Sequence, residues 1–308
     1  MRCTVGCLQR LHLSLLAPIA ACVLLLALPA GAQNSTSAMP LDSGFGPLDP
    51  SQPVGATPQQ IIDQFAAKES AFKRALDNYT YRRTVQVDTL DDDGKPDGEY
   101  MEVDDIIFSP DGHKVEKAVY APGNTLKRIV MGPADFSDIE HRLPFVLTQQ
   151  EIGQYNVTYV GKERVDALET YVFDVAPKRM EKGRRYFQGR IWVDQRDHQI
   201  VVTNGKNVPD IQRKGHEDLS PPFITYRQQI DGKYWFPVYT KAEGTLHFEG
   251  GTGYIAQDVP VREIVQYADY KKFGSSIKII YQGQQLPNGS QPPAGPAPAG
   301  APSGTTHP

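Results

Sequence analysis

The chain has 308 residues, of which 22% are Asp, Glu, Lys or Arg, and its formal net charge is -4. A mildly acidic chain lacks the basic field that draws DNA or RNA to a protein, so we expect no nucleic-acid partner. All three cysteines, Cys3, Cys7 and Cys22, lie within the first 32 residues. Removal of that segment would exclude disulfides, thiolate nucleophiles and cysteine-ligated metals.

Residues 1–32 have the pattern of a secretory signal peptide. Arg2 and Arg10 precede an apolar run that extends from Leu11 to Pro29. The run ends at Ala30-Gly31-Ala32, which matches the small-x-small site cut by signal peptidase. Cleavage there would leave a mature chain with a net charge of -6. The pattern predicts an exported protein, soluble in the periplasm after cleavage.

Two alternatives exist for this segment. Without cleavage it would anchor the chain in a membrane, although a spanning helix needs about 20 apolar residues and usually has no cleavage site at its end. Ile19-Ala20-Ala21-Cys22 also resembles a lipobox, in which Cys22 would become the lipidated N-terminus of a membrane-bound lipoprotein. Lipoproteins normally turn polar after that cysteine, whereas this chain stays apolar through Leu28, so cleavage after Ala32 is favoured.

Composition divides the remaining chain into three parts. Residues 33–56 are rich in Pro, Ser and Gly and are expected to form a flexible linker. Residues 282–308 contain no Asp, Glu, Lys or Arg and are expected to form a disordered tail rich in Pro, Gly and Ala. Neither segment has enough apolar surface to offset its ordering entropy. Residues 57–281 are long enough to form one domain with a sizeable core.

Two helices are predicted within this domain. Thr57 and Gln60 match a capping box with Pro58 in the first turn, and an apolar stripe follows at helical spacing. A second helix is predicted from Pro133 to Leu143, where the following proline ends it. The stripe of the first helix consists of Ile61, Phe65, Phe72, Leu76 and Tyr79.

The rest of the domain predicts antiparallel strands. Segments with alternating apolar and polar residues are separated by turn sequences such as Ser109-Pro110-Asp111-Gly112 and Asp231-Gly232. Roughly ten strands and two helices, without alternating βαβ units, indicate a mostly β or α+β fold. The predicted strands span residues 79–88, 99–108, 113–120, 155–165, 170–177, 186–194, 199–203, 223–230, 233–248 and 259–270.

The sequence contains no recognisable catalytic motif. The Asp-rich hairpin at 88–105 fits a calcium loop poorly because Lys95 occupies a ligand position, so a solvated tip is favoured. Residues 251–256 match a GxGxxA fingerprint, but a strand rather than a helix follows, which favours a glycine-rich turn. We therefore expect no metal, no cofactor and no enzymatic activity. A hydrolase built around His216 and its neighbouring carboxylates is the remaining enzymatic alternative.

A cationic hairpin covers residues 177–190, in which six Lys and Arg residues face only Glu181. Such a hairpin is able to contact anionic lipid headgroups or an acidic protein partner. A solvated hairpin tip without a role is the alternative. The candidate contact residues are Arg179, Arg184 and Arg185.

Several of these segments resemble the LolA-like family of outer-membrane lipoprotein-sorting proteins. In that family a strand ending in Pro-Lys, a hairpin, and a strand ending in Trp-(Ile/Val)-Asp recur in this order, as at Pro177-Lys178 and Trp192-Val193-Asp194 here. The opening helix and the hairpin before His113 also stand where that architecture has them. The chain departs from the true periplasmic carriers in lacking an Arg-Pro-Gly segment and in having a long acidic hairpin and a Pro-rich tail.

The resemblance implies an unclosed half-barrel, in which helices cover the concave face of a strongly curved antiparallel sheet. It also implies a non-enzymatic envelope protein that holds a lipid or lipoprotein acyl chain in an apolar cavity, as in lipoprotein sorting. An envelope protein-binding or sensory module that uses the same fold is the alternative. The candidate cavity residues are Phe65, Phe72, Phe136, Ile139, Leu143 and Phe145, for each of which ordinary core packing is the competing explanation.

Overall fold

The computed structural model describes most of the predicted domain and the segment that precedes it. Helices account for 14% and strands for 52% of the structure, so the fold is mostly β, as predicted. Leu143, His216, both glycines of the GxGxxA match and nearly all of the Pro-rich tail lie outside the described residues. The described residues are 38–109, 111–141, 144–210, 221–248, 255–273, 280–281 and 284–285.

The first helix, α1 (Pro58–Leu76), begins at the predicted capping box. The Thr57 side chain accepts the Gln60 N–H at 3.2 Å, and the Gln60 side chain accepts the Thr57 N–H at 2.8 Å, so two otherwise unpaired donors are satisfied. The second helix, α2 (Pro133–His141), also starts where predicted, and a short 3-10 helix spans Ile152–Gln154. Among the described helices, none combines the length and apolar character needed to cross a membrane.

Ten strands form one antiparallel sheet, in the order β3-β2-β1-β10-β9-β8-β7-β6-β5-β4. Neighbours in the sheet are also neighbours in the chain, except that β1 pairs with β10, where Val85 lies opposite Val265. β3 and β4 form the two edges, so the sheet is not closed into a barrel. The strands are β1 (Tyr79–Leu90), β2 (Pro96–Phe108), β3 (Lys114–Tyr120), β4 (Tyr155–Val165), β5 (Leu168–Pro177), β6 (Tyr186–Asp194), β7 (Ile200–Val208), β8 (Phe223–Ile230), β9 (Tyr234–Phe248) and β10 (Gln257–Lys272).

Both helices cover one face of this sheet, which carries the main hydrophobic core. On α1, Phe65 packs against Phe173 of β5 with ring centroids 5.6 Å apart, and Phe72 packs against Phe236 of β9 at 5.3 Å. On α2, Ile139 is buried in the same core as Phe65. The prediction of helices over the concave face of an unclosed half-barrel is therefore confirmed.

The opposite face is partly covered by residues 38–49, which we call the N-terminal strap. Phe45 packs against Trp192 of β6 with ring centroids 5.2 Å apart. Both backbone groups of Met39 bond to the Asn204 side chain, each at 2.8 Å. The strap thereby buries two apolar side chains against the convex face of the sheet.

The strap also pairs with the outer edge of β4. The Gly46 N–H donates to the Arg164 carbonyl and the Asp49 N–H to the Lys162 carbonyl, both at 2.8 Å. This corrects the prediction of a flexible linker over residues 33–56 for the part that the structure describes. Composition measures how much surface a segment can bury by itself, whereas here the sheet supplies the partner surface and the backbone partners.

We expect Phe45→Ala to lower the free energy of unfolding by about 1–2 kcal/mol, because the half-buried ring loses its contact with Trp192. The measurement is urea unfolding followed by tryptophan fluorescence. Leu48→Ala on the same strap is the matched control, since Leu48 is exposed and its truncation should cost less than about 0.5 kcal/mol. Equal losses in the two variants would contradict a specific role for the Phe45 contact.

Candidate functional site

An open cavity of about 600 Å³ lies on the concave side of the sheet. Its wall combines the end of α1 and strands β1 to β3 with residues at the starts of β4 and β6. Because β3 and β4 are the opposite edges of the sheet, a cavity lined from both sides requires a strongly curved sheet. Binding sites for small molecules typically measure about 300–1,000 Å³, so this cavity has a suitable size.

Aromatic and aliphatic side chains form one part of the cavity wall. Phe145 stacks on Phe187 with ring centroids 4.2 Å apart and an angle of 22° between the rings. Tyr155 meets Phe145 edge-on at 6.1 Å. Leu76 and Ile106 add aliphatic surface from α1 and β2. This part of the wall offers an apolar ligand a continuous contact surface.

Charged side chains form the other part, and most of them are paired with one another. Arg83, which is 8% exposed, bonds to Asp104 at 3.1 Å and also contacts Glu116. Arg185, which is 10% exposed, lies 3.0 Å from a carboxylate oxygen of Asp138. These pairs leave little net charge in the buried part of the wall.

Two other cations sit beside aromatic rings of the same cavity. The Lys114 ammonium lies 5.3 Å from the ring centre of Tyr81 and donates to the Leu76 carbonyl at 3.0 Å. Lys114 is exposed at the mouth of the cavity, but partial burial of its side chain lowers its pKa. The Arg184 guanidinium lies 5.3 Å from the ring centre of Tyr186. Each ring thus places apolar surface directly next to a positive charge.

A fully buried ion pair holds α1 next to the cavity. The Arg227 guanidinium on β8 bonds to Glu69 of α1, with a shortest distance of 2.9 Å, and also donates to the Phe145 carbonyl. Burial raises the pKa of Glu69, and the charge of Arg227 opposes that rise. The pair therefore ties together α1, β8 and the segment that carries the Phe145 side of the cavity.

A second buried carboxyl group, Glu263 on β10, lies on the concave face near α2. Its Oε1 has no hydrogen-bond partner among the described residues. Burial, together with the nearby charges of Asp138 and Asp135, raises the pKa of Glu263 to about 8. The Glu263 side chain is consequently protonated at neutral pH.

The six candidate cavity residues occupy different environments. Phe145 lines the cavity, whereas Phe65, Phe72 and Ile139 are buried in helix-sheet packing. Phe136 is 40% exposed and packs against Tyr100 at 5.6 Å. Leu143 lies outside the described residues. The open space is therefore beside the last turns of α1, and the space under its first half is filled.

The cationic hairpin contributes two of its three candidate residues to the wall. Arg184 and Arg185 line the cavity, while Arg179 is exposed and lies away from it. Sequence reasoning did not single out Arg83 or Lys114. Among the described residues, no group of three or more His, Cys, Asp or Glu is arranged to hold a metal ion.

The chain matches no protein-family model and no curated protein. Its structure is similar to that of a LolA superfamily protein. That protein, from Nitrosomonas europaea, is 12% identical with a TM-score of 0.29, and the match covers 68% of this chain and 95% of that chain. The resemblance to the LolA-like family expected from the sequence thus has a counterpart among solved structures, at the level of similarity just given.

Two other solved structures are similar to the chain. A DUF1329 family protein from Desulfovibrio piger is 13% identical with a TM-score of 0.29, and the match covers 70% of this chain and 96% of that chain. A chain of the MucA/MucB complex of Pseudomonas aeruginosa is 10% identical with a TM-score of 0.20. The match covers 70% of this chain and 99% of that chain.

Proposed function

We propose that this protein is a non-enzymatic, exported envelope protein that binds one acyl chain of a lipid or lipoprotein in the cavity on its concave face. The observation that carries the proposal is the cavity of about 600 Å³ beside the stacked Phe145 and Phe187 rings. Transfer of each methylene from water to such a surface contributes about 0.8 kcal/mol. A chain of several methylenes would therefore bind without any strong polar contact.

The packing under α1 favours this location over the one predicted from the helix stripe. Phe65 and Phe72 are both in contact with rings of the sheet, so they leave no room for a ligand between helix and strands. Leu76, the last member of the stripe within α1, lines the cavity. The acyl chain would thus lie along the end of α1, between the two flanks of the curved sheet.

Affinity for single-chain amphiphiles should rise with chain length. We expect the dissociation constant to fall up to about fourfold for each added methylene until the cavity is filled, since about 0.8 kcal/mol corresponds to that factor. Isothermal titration calorimetry with a series of alkyl chains that share one headgroup measures this. Affinity that does not change with chain length would contradict acyl binding in this cavity.

A substitution that reduces the cavity provides the structural control. Val146 lines the cavity, so Val146→Trp should fill part of it and weaken acyl binding. Val130→Trp makes the same exchange at a residue that is 76% exposed and away from the cavity, and should leave binding unchanged. Thermal unfolding of both variants separates loss of binding from loss of the fold. Equal affinities in the two variants would place the ligand elsewhere.

The edge strand β3 favours a second candidate function, the recognition of an envelope protein. All seven of its residues are exposed, and Val119 and Tyr120 are 43% and 54% exposed. No strand of the described residues pairs with its outer edge, and such an edge is able to pair with an extended segment of another protein. Native mass spectrometry after gentle purification discriminates the two functions, because an acyl carrier would retain lipid whereas a protein-binding module would not.

The proposed place of action is the periplasm, after cleavage behind Ala32. The proposal rests on the order of basic, apolar and small residues in the first 32 positions. Intact-mass measurement of the protein isolated from the envelope tests it. A mature chain that begins at Gln33 supports a soluble protein, and a lipidated Cys22 at the N-terminus would instead make it a membrane-bound lipoprotein.

A further inference from the structure

We infer that the cavity prefers acyl ligands that carry an anionic group, with that group bound by the two wall cations that lie beside aromatic rings, Lys114 and Arg184. The inference rests on the acyl-binding function proposed above and specifies its ligand class. Both residues line the cavity, and each lies 5.3 Å from the centre of an aromatic ring. A carboxylate, phosphate or sulfate attached directly to an alkyl chain matches this combination of charge and apolar surface.

The pairing of charges around the cavity singles out these two cations. Arg83 and Arg185 each lie within 3.1 Å of a buried carboxylate, so their charges are already balanced. Lys73 forms an exposed ion pair with Glu151 at 3.3 Å, and among the described residues no aromatic ring lies against its ammonium. The Lys114 ammonium bonds instead to a neutral backbone carbonyl, and no carboxylate lies within ion-pair distance of it among the described residues. It therefore retains two N–H donors for a ligand.

Arg184 is available for a different reason. Its ion pair with Glu181, at 2.8 Å, is on the surface, with the two side chains 52% and 56% exposed. Exposed pairs of this type contribute little to stability, so a ligand anion can replace Glu181 at little cost. The guanidinium also bonds to the Gln154 side chain at 3.0 Å, which holds it at the start of β4.

Two carboxylates on the cavity wall are already paired with other cations, so they do not neutralise Lys114 or Arg184. Glu116 contacts Arg83, and Glu151 is paired with Lys73. Asp77, at the end of α1, is the one whose charge acts on Lys114. A bound anion would join that favourable interaction and offset the burial that lowers the pKa of Lys114.

Dodecanoate, dodecanol and dodecylamine distinguish this inference from the proposed function on which it rests. We expect calorimetric titration of the full mature chain to give about tenfold tighter binding of dodecanoate than of dodecanol, and weaker binding of dodecylamine, since hydrogen bonds to charged groups contribute more than neutral ones. Dodecanol that binds as tightly as dodecanoate would overturn the inference while supporting the proposed function. Absence of binding by all three would overturn both.

Substitutions locate the anion. Lys114→Met should reduce the preference for dodecanoate over dodecanol to within about threefold, and Lys114→Arg should restore it. Lys117→Met on the same strand, exposed and away from the cavity, is the matched control and should keep the full preference. Because Lys114 also bonds to the end of α1, Arg184→Gln gives an independent reading that does not touch that helix. Full preference in both Lys114→Met and Arg184→Gln would overturn the inference.

Discussion

Glu69→Gln is expected to lower the free energy of unfolding by about 3–5 kcal/mol. The substitution leaves the Arg227 guanidinium buried, 1% exposed, without a countercharge, and removal of one member of a buried ion pair typically costs this much. The Arg227 bond to the Phe145 carbonyl would remain, but a neutral acceptor compensates the charge poorly. Urea denaturation followed by circular dichroism measures the loss.

The same helix offers the control for this prediction. Lys73, one turn further along α1, forms an ion pair with Glu151 in which the side chains are 57% and 37% exposed. Lys73→Gln should therefore cost less than about 1 kcal/mol. The double variant Glu69→Leu and Arg227→Met should recover a large part of the loss, because it removes both charges from the core. A loss of less than 1 kcal/mol in Glu69→Gln would show that water reaches the pair.

Glu263→Gln is expected to stabilise the protein at neutral and mildly alkaline pH. The folded protein holds a proton on Glu263 up to about pH 8, whereas the unfolded chain releases it near the ordinary value of 4.5. The folded state thus binds more protons between these limits, and the wild-type protein loses stability as pH rises through that window. The side-chain amide of glutamine does not ionise in this pH range, so the variant does not lose stability by this route as the pH rises.

The pH dependence gives the quantitative form of the Glu263 prediction. The difference in unfolding free energy between Glu263→Gln and the wild type should grow by about 1.4 kcal/mol per pH unit from about pH 4.5 and level off near pH 8. Glu169→Gln, at an exposed position on β5, should show no such growth. Urea denaturation at several pH values tests both variants. A constant difference across the window would mean that Glu263 is solvated or paired.

Local features of the fold were predictable because neighbouring residues determine them. The capping box at Thr57 predicts the start of α1, and the Asp231-Gly232 sequence predicts the turn between β8 and β9, where both residues have positive φ. Strand order was not predictable, because the pairing of β1 with β10 depends on contacts between distant parts of the chain.

The cavity was harder to locate from sequence than the core. An apolar stripe predicts which face of α1 is buried, yet it does not distinguish Phe72, which packs on a ring, from Leu76, which lines open space. A usable signal was nonetheless present, since Glu69 lies within the stripe between Phe65 and Phe72. A charge on an apolar face indicates a buried partner, and alternation along β10 marks Glu263 in the same way.

The pairing of β1 with β10 also bears on when this chain can fold. Within the described sheet, β1 to β3 pair with the remaining strands through that ladder, so β1 lacks its inner neighbour until the last long strand has been made. Contacts between segments so distant in sequence form slowly. We therefore expect the first hairpins to gain their place in the complete sheet only after nearly all of the chain has been synthesised.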